Sequence, residues 1–206
     1  MLISDHYSSV INRNEGWHSF NWENCRTCLK KNECDPNCEA LQNIPEDISE
    51  FIFEPGSASG FVRFPPKALI QNMVNIARKN KGKIIANEVT TGIGRTGKRF
   101  GYQHYAIEPD MVSIGKGIGN GYPVSVAVLS LAIVKDLEAK PFKYSQSYQN
   151  DPLGAAIVHE VIQAIKDNDV IANAERKGEM FFSRLNSLVD SEIVLGVRGR
   201  GLDVRR

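Results

Sequence analysis

The chain has 206 residues, 42% of them hydrophobic and 24% charged, enough to bury a sizeable core in a globular domain. Its 25 Lys and Arg nearly cancel its 24 Asp and Glu, and the basic residues are dispersed rather than blocked. That balance offers no field for nucleic acid or a membrane surface, and neither is expected as a partner.

No stretch approaches the roughly 18 apolar residues of a spanning helix, and Met1–Asn12 has no signal-peptide core. A cytoplasmic location is the default expectation. Residues 1–43 read as an irregular segment, polar and rich in Asn. They hold all four cysteines, Cys25, Cys28, Cys34 and Cys38, spaced C-x2-C-x5-C-x3-C. In a reducing compartment a disulfide is the poorer reading. Two closely spaced pairs on a loop can converge on a metal, but the spacing is not a standard zinc-ribbon pattern. The other reading is a polar loop with buried or free thiols, and no metal is expected.

From residue 44 the texture changes to short apolar runs alternating with helical patterns. Ile48–Phe53 reads as a strand ending at Glu54-Pro55, before a glycine- and serine-rich turn. Pro66–Lys79 reads as a helix, with Leu69, Ile70, Met73, Ile76 and Ala77 on one stripe. Lys83–Ala86, Met111–Ile114 and Val124–Leu129 read as strands. Pro152–Lys166 and Val170–Leu188 read as helices, before a last strand near Ile193–Val197. Such alternation predicts an α/β fold with a mostly parallel sheet flanked by helices. Ligands of such sheets sit at the carboxyl ends of the strands, where Glu54, Asn87 and Lys116 all fall. The closing arginines, Arg198, Arg200, Arg205 and Arg206, read as a solvated end.

Two segments suggest chemistry. Ser113–Gly121 sets Lys116 among four glycines directly after a strand. Glycines let the backbone approach a planar ligand closely, and a partly desolvated lysine can attack a carbonyl as the free amine. Asn87–Lys98, NEVTTGIGRTGK, is dense in backbone donors and reads as an anion-binding loop. It lacks the G-x-x-x-x-G-K-S/T spacing of a P-loop. Taken singly, a surface lysine and an ordinary turn remain open for these two segments.

In order, the EP strand end, NEVTTGIGRTGK, PDMVSIGKGIGNGYPVS, SYQNDPLGAA and VRGRGL closely resemble class III aminotransferases over Ile48–Leu202. The resemblance implies the large domain of a fold-type-I pyridoxal 5'-phosphate enzyme, here partial, over residues 44–206. It implies a homodimer with a shared active site that moves an amino group from a small-molecule donor to an oxo acid. Decarboxylase, racemase, aminomutase and non-catalytic readings stay open beside it. Lys116 stands where the family's lysine forms the Schiff base. Val89 stands where an aliphatic residue packs on the cofactor ring, and Glu54 where a glutamate meets the substrate-binding arginine. Ser147 stands where a threonine reaches the phosphate held by the neighbouring subunit.

Two positions depart from the family pattern. Asn87 replaces an aspartate facing the pyridine nitrogen, and Thr90 replaces a glutamine near the cofactor's phenolic oxygen. A neutral amide offers no charge to hold that nitrogen protonated, so a weaker electron sink is expected. The glycine-serine phosphate loop, the aromatic-His-Gly segment and the small domain have no counterpart here, so a truncated chain is expected. The cysteine segment is similar to a stretch found in some family members, which favours a family loop over a metal site.

Overall fold

The computed structural model describes residues 2–3, 16–22, 24–25, 28–29, 33–45, 47–56, 62–140, 143–189 and 196–205. Five strands make the main sheet, in spatial order β1 (Leu2–Ile3), β2 (Glu50–Phe53), β3 (Lys83–Asn87), β4 (Met111–Ile114) and β5 (Val126–Leu129). The first four run parallel, pairing Ile3 with Phe53, Phe53 with Ala86, and Asn87 with Ser113. β5 is antiparallel to β4, with Ile114 opposite Val126. The sheet is thus mostly parallel, as expected, but its last strand reverses. The reversal follows from the short return between β4 and β5, which carries a single 3₁₀ turn at Lys116–Gly119 and no crossover helix.

The helices are α1 (Glu39–Gln42), α2 (Lys67–Lys79), α3 (Leu131–Ala139), α4 (Pro152–Asp167) and α5 (Val170–Asn186). α2 buries Leu69, Ile70, Met73 and Ala77 on one stripe, and Arg78 and Lys79 suit the negative end of its dipole. Arg78 then ties the turn into β3: it pairs with Asp110 at 2.6 Å and donates to the Gly82 carbonyl at 3.0 Å. The same Asp110 carboxylate accepts from the Ile84 amide at 2.7 Å. α4 begins where Asp151 accepts the amides of Leu153 and Gly154, with Pro152 in the first turn.

The core is continuous from Phe51, Phe53, Ile84 and Ala86 of the sheet to α2, Tyr105 and Ile118. The N-terminal segment joins it through Phe20, Trp22 and Leu41, all buried. A two-stranded hairpin, β6 (Arg198–Arg200) and β7 (Asp203–Arg205), closes the described chain. Most expected elements match within two residues. The expected strand near Ile193–Val197 differs: residues 193–195 lie outside the described residues, and Gly196 and Val197 precede the strand. Among the described residues no helix is long and apolar enough to cross a membrane.

Within this tail Arg198 is exposed as expected, but Arg200 is not solvated. Arg200 lies over the rings of Phe64 at 4.6 Å and Tyr105 at 5.0 Å, and its buried Nη1 has no hydrogen-bond partner among the described residues. The aromatic faces take the place of water around this cation. Gly201 (φ +55°) makes the approach possible: a Cβ there would meet the Arg95–Gly97 backbone at 2.4–2.7 Å. Leu202 donates to the Arg95 carbonyl at 2.9 Å. Two motifs far apart in sequence, GIGRTG and VRGRGL, therefore pack backbone to backbone.

Candidate active site at the carboxyl ends of the strands

Glu54, Asn87 and Lys116 emerge from the carboxyl ends of β2, β3 and β4, three adjacent parallel strands. Asn87 Nδ2 donates to Glu54 Oε1 at 3.3 Å. Its Oδ1 accepts from the Val89 amide at 3.2 Å and from the Ser113 hydroxyl at 3.4 Å. The amide orientation follows from this network, because the Val89 N–H can only donate.

Lys116 is solvent-exposed, and its backbone sits in the left-handed region at φ +45°. The desolvation expected of this lysine is absent in the chain by itself. A non-glycine residue there costs on the order of 1–2 kcal/mol, and such strain concentrates at functional positions. Asn120, at φ +44°, closes the same turn more cheaply, since Asn tolerates this region. Gly115 lies beneath the turn in extended backbone, where an added Cβ would make ordinary contact with Val89 at 3.4 Å.

Val89, Thr90 and Lys116 line one cleft of about 670 Å³, with Gly92, Gly94, Arg95, Gly117 and Asn120 on the strand-end side and α4 opposite. Asn87 and Glu54 stand beside this cleft and reach it through the Val89 amide. Ser147 is exposed in the turn before α4 and does not line the cleft.

Glu88 carries no role in the sequence reading, yet it holds the loop. It is fully buried and accepts from the Thr91 hydroxyl at 2.7 Å, the Gly101 amide at 2.8 Å and the Tyr102 amide at 2.7 Å. Burial raises its pKa, and these three donors pull the other way. Nearby, the Tyr105 hydroxyl donates to the Pro55 carbonyl at 2.5 Å. His104 Nε2 sits 3.1 Å from the Thr96 carbonyl, and burial followed by the Arg200 charge lowers its pKa. A run of hydrogen bonds that starts at Glu88 thus fixes the loop carrying Val89 and Thr90. The only sequence signal for it is an acid inside an otherwise small-residue loop.

The family model for class III aminotransferases, described as "Aminotransferase class-III", matches residues 12–204. The chain belongs to this family. Ornithine aminotransferase of Plasmodium yoelii yoelii is 35% identical over 168 residues, covering 80% of this chain and 40% of that protein. Taurine–pyruvate aminotransferase of Rhodobacter capsulatus is 34% identical over 170 residues, covering 79% and 37% respectively. A transaminase structure from the marine bacterium Virgibacillus superposes with a TM-score of 0.73 at 32% identity, covering 80% of this chain and 39% of that one. This class III aminotransferase chain therefore spans about two fifths of the relatives it matches. The fold-type-I architecture expected from the motifs agrees with these structural neighbours.

Proposed function

We propose that this chain supplies the lysine-bearing wall of a pyridoxal 5'-phosphate-dependent aminotransferase, acting on a small-molecule amino donor and an oxo acid. The observation that carries the proposal is Lys116, held in a strained turn at the end of β4 and facing one cleft with Val89 and Thr90. A homodimer with a shared active site, located in the cytoplasm, belongs to the same proposal and rests on the family resemblance.

The residues fit the ring end of the cofactor. An amine, an aliphatic side chain and a hydroxyl line one open cleft, and Gly117 leaves clear space beside the lysine, with nothing within 4 Å of an added Cβ. At the phosphate end, the Ser147 hydroxyl is exposed, consistent with service to a second subunit. When bound, pyridoxal phosphate supplies an electron sink for the carbon that bears the amino group.

Lys116 Nζ is the nucleophile and the group that takes and returns the proton. Val89 offers an apolar face on one side of the cleft. Asn87 offers a neutral donor, its remaining Nδ2–H, where a carboxylate would hold a proton. Glu54, oriented by that amide, supplies negative charge for a cationic partner at the cleft's edge.

The test is reductive trapping. Borohydride treatment in the presence of pyridoxal phosphate, followed by peptide mapping, should label Lys116, and Lys116→Ala should lose the label. A label on Lys98 or another lysine, or none at saturating cofactor, would sink the assignment.

A further inference from the structure

The proposed amino-transfer chemistry gives no task to one charged residue of the cleft, Arg95. We propose that Arg95 docks the acid group of the substrate, so that amino donor and oxo acid alike carry a carboxylate apart from the carbon that reacts. The inference rests on Lys116 as the reacting amine and adds a substrate class to that reading.

The loop presents this side chain by holding everything around it. Thr91 and Thr96 are buried on either side, and Thr96 Oγ1 lies 3.2 Å from His104 Nε2. Gly94 (φ +83°) and Gly97 (φ +79°) bracket Arg95 and Thr96, and the Gly97 amide closes onto the Gly94 carbonyl at 3.1 Å. The Arg95 amide donates to the Gly92 carbonyl at 3.3 Å, and its carbonyl accepts from Leu202 at 2.9 Å. With its backbone held on both sides, Arg95 is exposed and lines the same cleft as Lys116.

An arginine on a surface loop is ordinary, but the surroundings set this one apart. The cleft, about 670 Å³, has the size of a small-molecule site. Its lining holds two cations, Arg95 and Lys116, three neutral polar side chains, Thr90, Asn120 and Asn168, and no aspartate or glutamate. The acids nearby are engaged elsewhere. Glu88 is buried with three donors, Glu54 accepts the Asn87 amide, and Asp169 lines the neighbouring groove. Among the described residues no acid forms an ion pair with Arg95. The facing wall, Val161, Ala164 and Ile165 of α4, is apolar, which strengthens attraction between charges in the cleft.

Charge and shape then select the ligand. A guanidinium is planar, stays charged and meets a carboxylate with two parallel N–H···O bonds. A lysine that must act as the free amine cannot also hold that anion, so the acid group falls to Arg95 and the carbonyl to Lys116. Two cations in one cleft repel a diamine, and a plain amine leaves the guanidinium without an anion. The substrates are therefore amino acids and oxo acids, not simple amines. The anion-binding loop expected from NEVTTGIGRTGK works through this one side chain, because the Gly92, Gly94, Arg95 and Gly97 amides are already bonded to nearby carbonyls.

The experiment needs no cofactor and uses the 206-residue chain. A lysine amine condenses with an aldehyde and releases water, and cyanoborohydride reduces the resulting imine. Labelling rates with 4-oxobutanoate and with butanal, which lacks the acid group, are compared lysine by lysine through peptide mapping. At low salt Lys116 should label about tenfold faster with 4-oxobutanoate, the scale of one charge-assisted hydrogen bond. Lys135, exposed on α3, should show no such preference. Arg95→Gln should bring the Lys116 ratio to about one, and Arg95→Lys should restore part of it. Equal urea midpoints of variant and parent check that the loop, which is held by the backbone of residue 95, still folds. Pyridoxal 5'-phosphate and pyridoxal, compared in the same way, separate a substrate carboxylate from the cofactor's phosphate. Three results would overturn the proposal: a ratio near one in the parent, a ratio that survives Arg95→Gln, or a variant that loses only its preference for pyridoxal 5'-phosphate. Failure of the Lys116 assignment shows differently, as cofactor label on another lysine while the oxo-acid ratio at Lys116 stands.

Discussion

Asn87 donates to the Glu54 carboxylate at 3.3 Å while the Val89 amide fixes its other end. A neutral amide is therefore the complement of a carboxylate at this strand end, and the family's aspartate would not be. Asn87→Asp puts two carboxylates in contact, and like charges that close raise the pKa of one of them. A raised folded-state value gives stability that is present at acid pH and lost as pH rises through it. Asn87→Asp should thus unfold more easily than the parent at pH 7.5, by about 1–3 kcal/mol, with the gap closing by pH 5. Glu54→Gln in the same chain should restore it. Urea midpoints at the two pH values decide, and a pH-independent gap would show that the two side chains do not interact.

The elements with clear periodicity were legible in the sequence: α2 with its buried stripe, α4 with its start at Pro152, and β2 to β4. Other features depend on where the chain returns. α3 went unread because nothing on it is buried, although Ser130 caps it by accepting from Ile133 at 3.4 Å. β5's direction is set by the turn that carries Lys116. Arg200 looked like a solvated tail because only the folded hairpin brings Phe64 and Tyr105 to it. At the candidate site, motif order pointed to Lys116, Val89 and Thr90, and the structure brings these three to one cleft. Glu88 was hidden because its partners, Gly101 and Tyr102, lie more than ten residues away.

Glu88 gives a prediction with a defined sign. Its two oxygens accept from three donors, and glutamine offers one oxygen and turns an NH₂ toward the rest. Glu88→Gln should cost about 1–3 kcal/mol by leaving a buried donor unmatched. Burial raises the Glu88 pKa above its ordinary 4.5, so the parent's stability from this group is full below 4.5 and declines as pH climbs through the raised value. The cost of Glu88→Gln, read from denaturant midpoints, should therefore be larger at pH 4 than at pH 7. A larger cost at pH 7 would mean that the three donors outweigh burial.

The hairpin docking is tested at α5. A Cβ on Gly178 would meet the Gly201 carbonyl oxygen at 2.2 Å and its carbon at 2.5 Å, and backbone cannot rotate away. Gly178→Ala should destabilise by about 1–3 kcal/mol, the usual range for overpacking, and expose the hairpin to proteases. Gly117→Ala, with open space around it, is the matched control and should lie within about 0.5 kcal/mol of the parent. Equal effects from the two would mean that β6 and β7 do not dock against α5.

The last expectation concerns the 206-residue chain expressed alone. Among the described residues the outer edge of β5 pairs with no strand, and Val128 on it is 47% exposed. Leu131 and Leu153 are exposed nearby, and an apolar groove of about 850 Å³ runs between β5 and α4, lined by Val126, Val158 and Ile162. An open edge offers unpaired N–H and C=O groups to a second chain, and apolar surface beside it adds the driving force. The isolated chain should therefore self-associate at micromolar concentration in sedimentation. Val128→Lys with Leu131→Lys should reduce association, because charges on an edge strand block pairing. Pyridoxal phosphate binding should be weak in both forms, since a phosphate needs several donors to offset its desolvation and Ser147 supplies one hydroxyl. A monodisperse, tightly binding parent chain would overturn this, and would mean that residues elsewhere in the chain make a phosphate cradle.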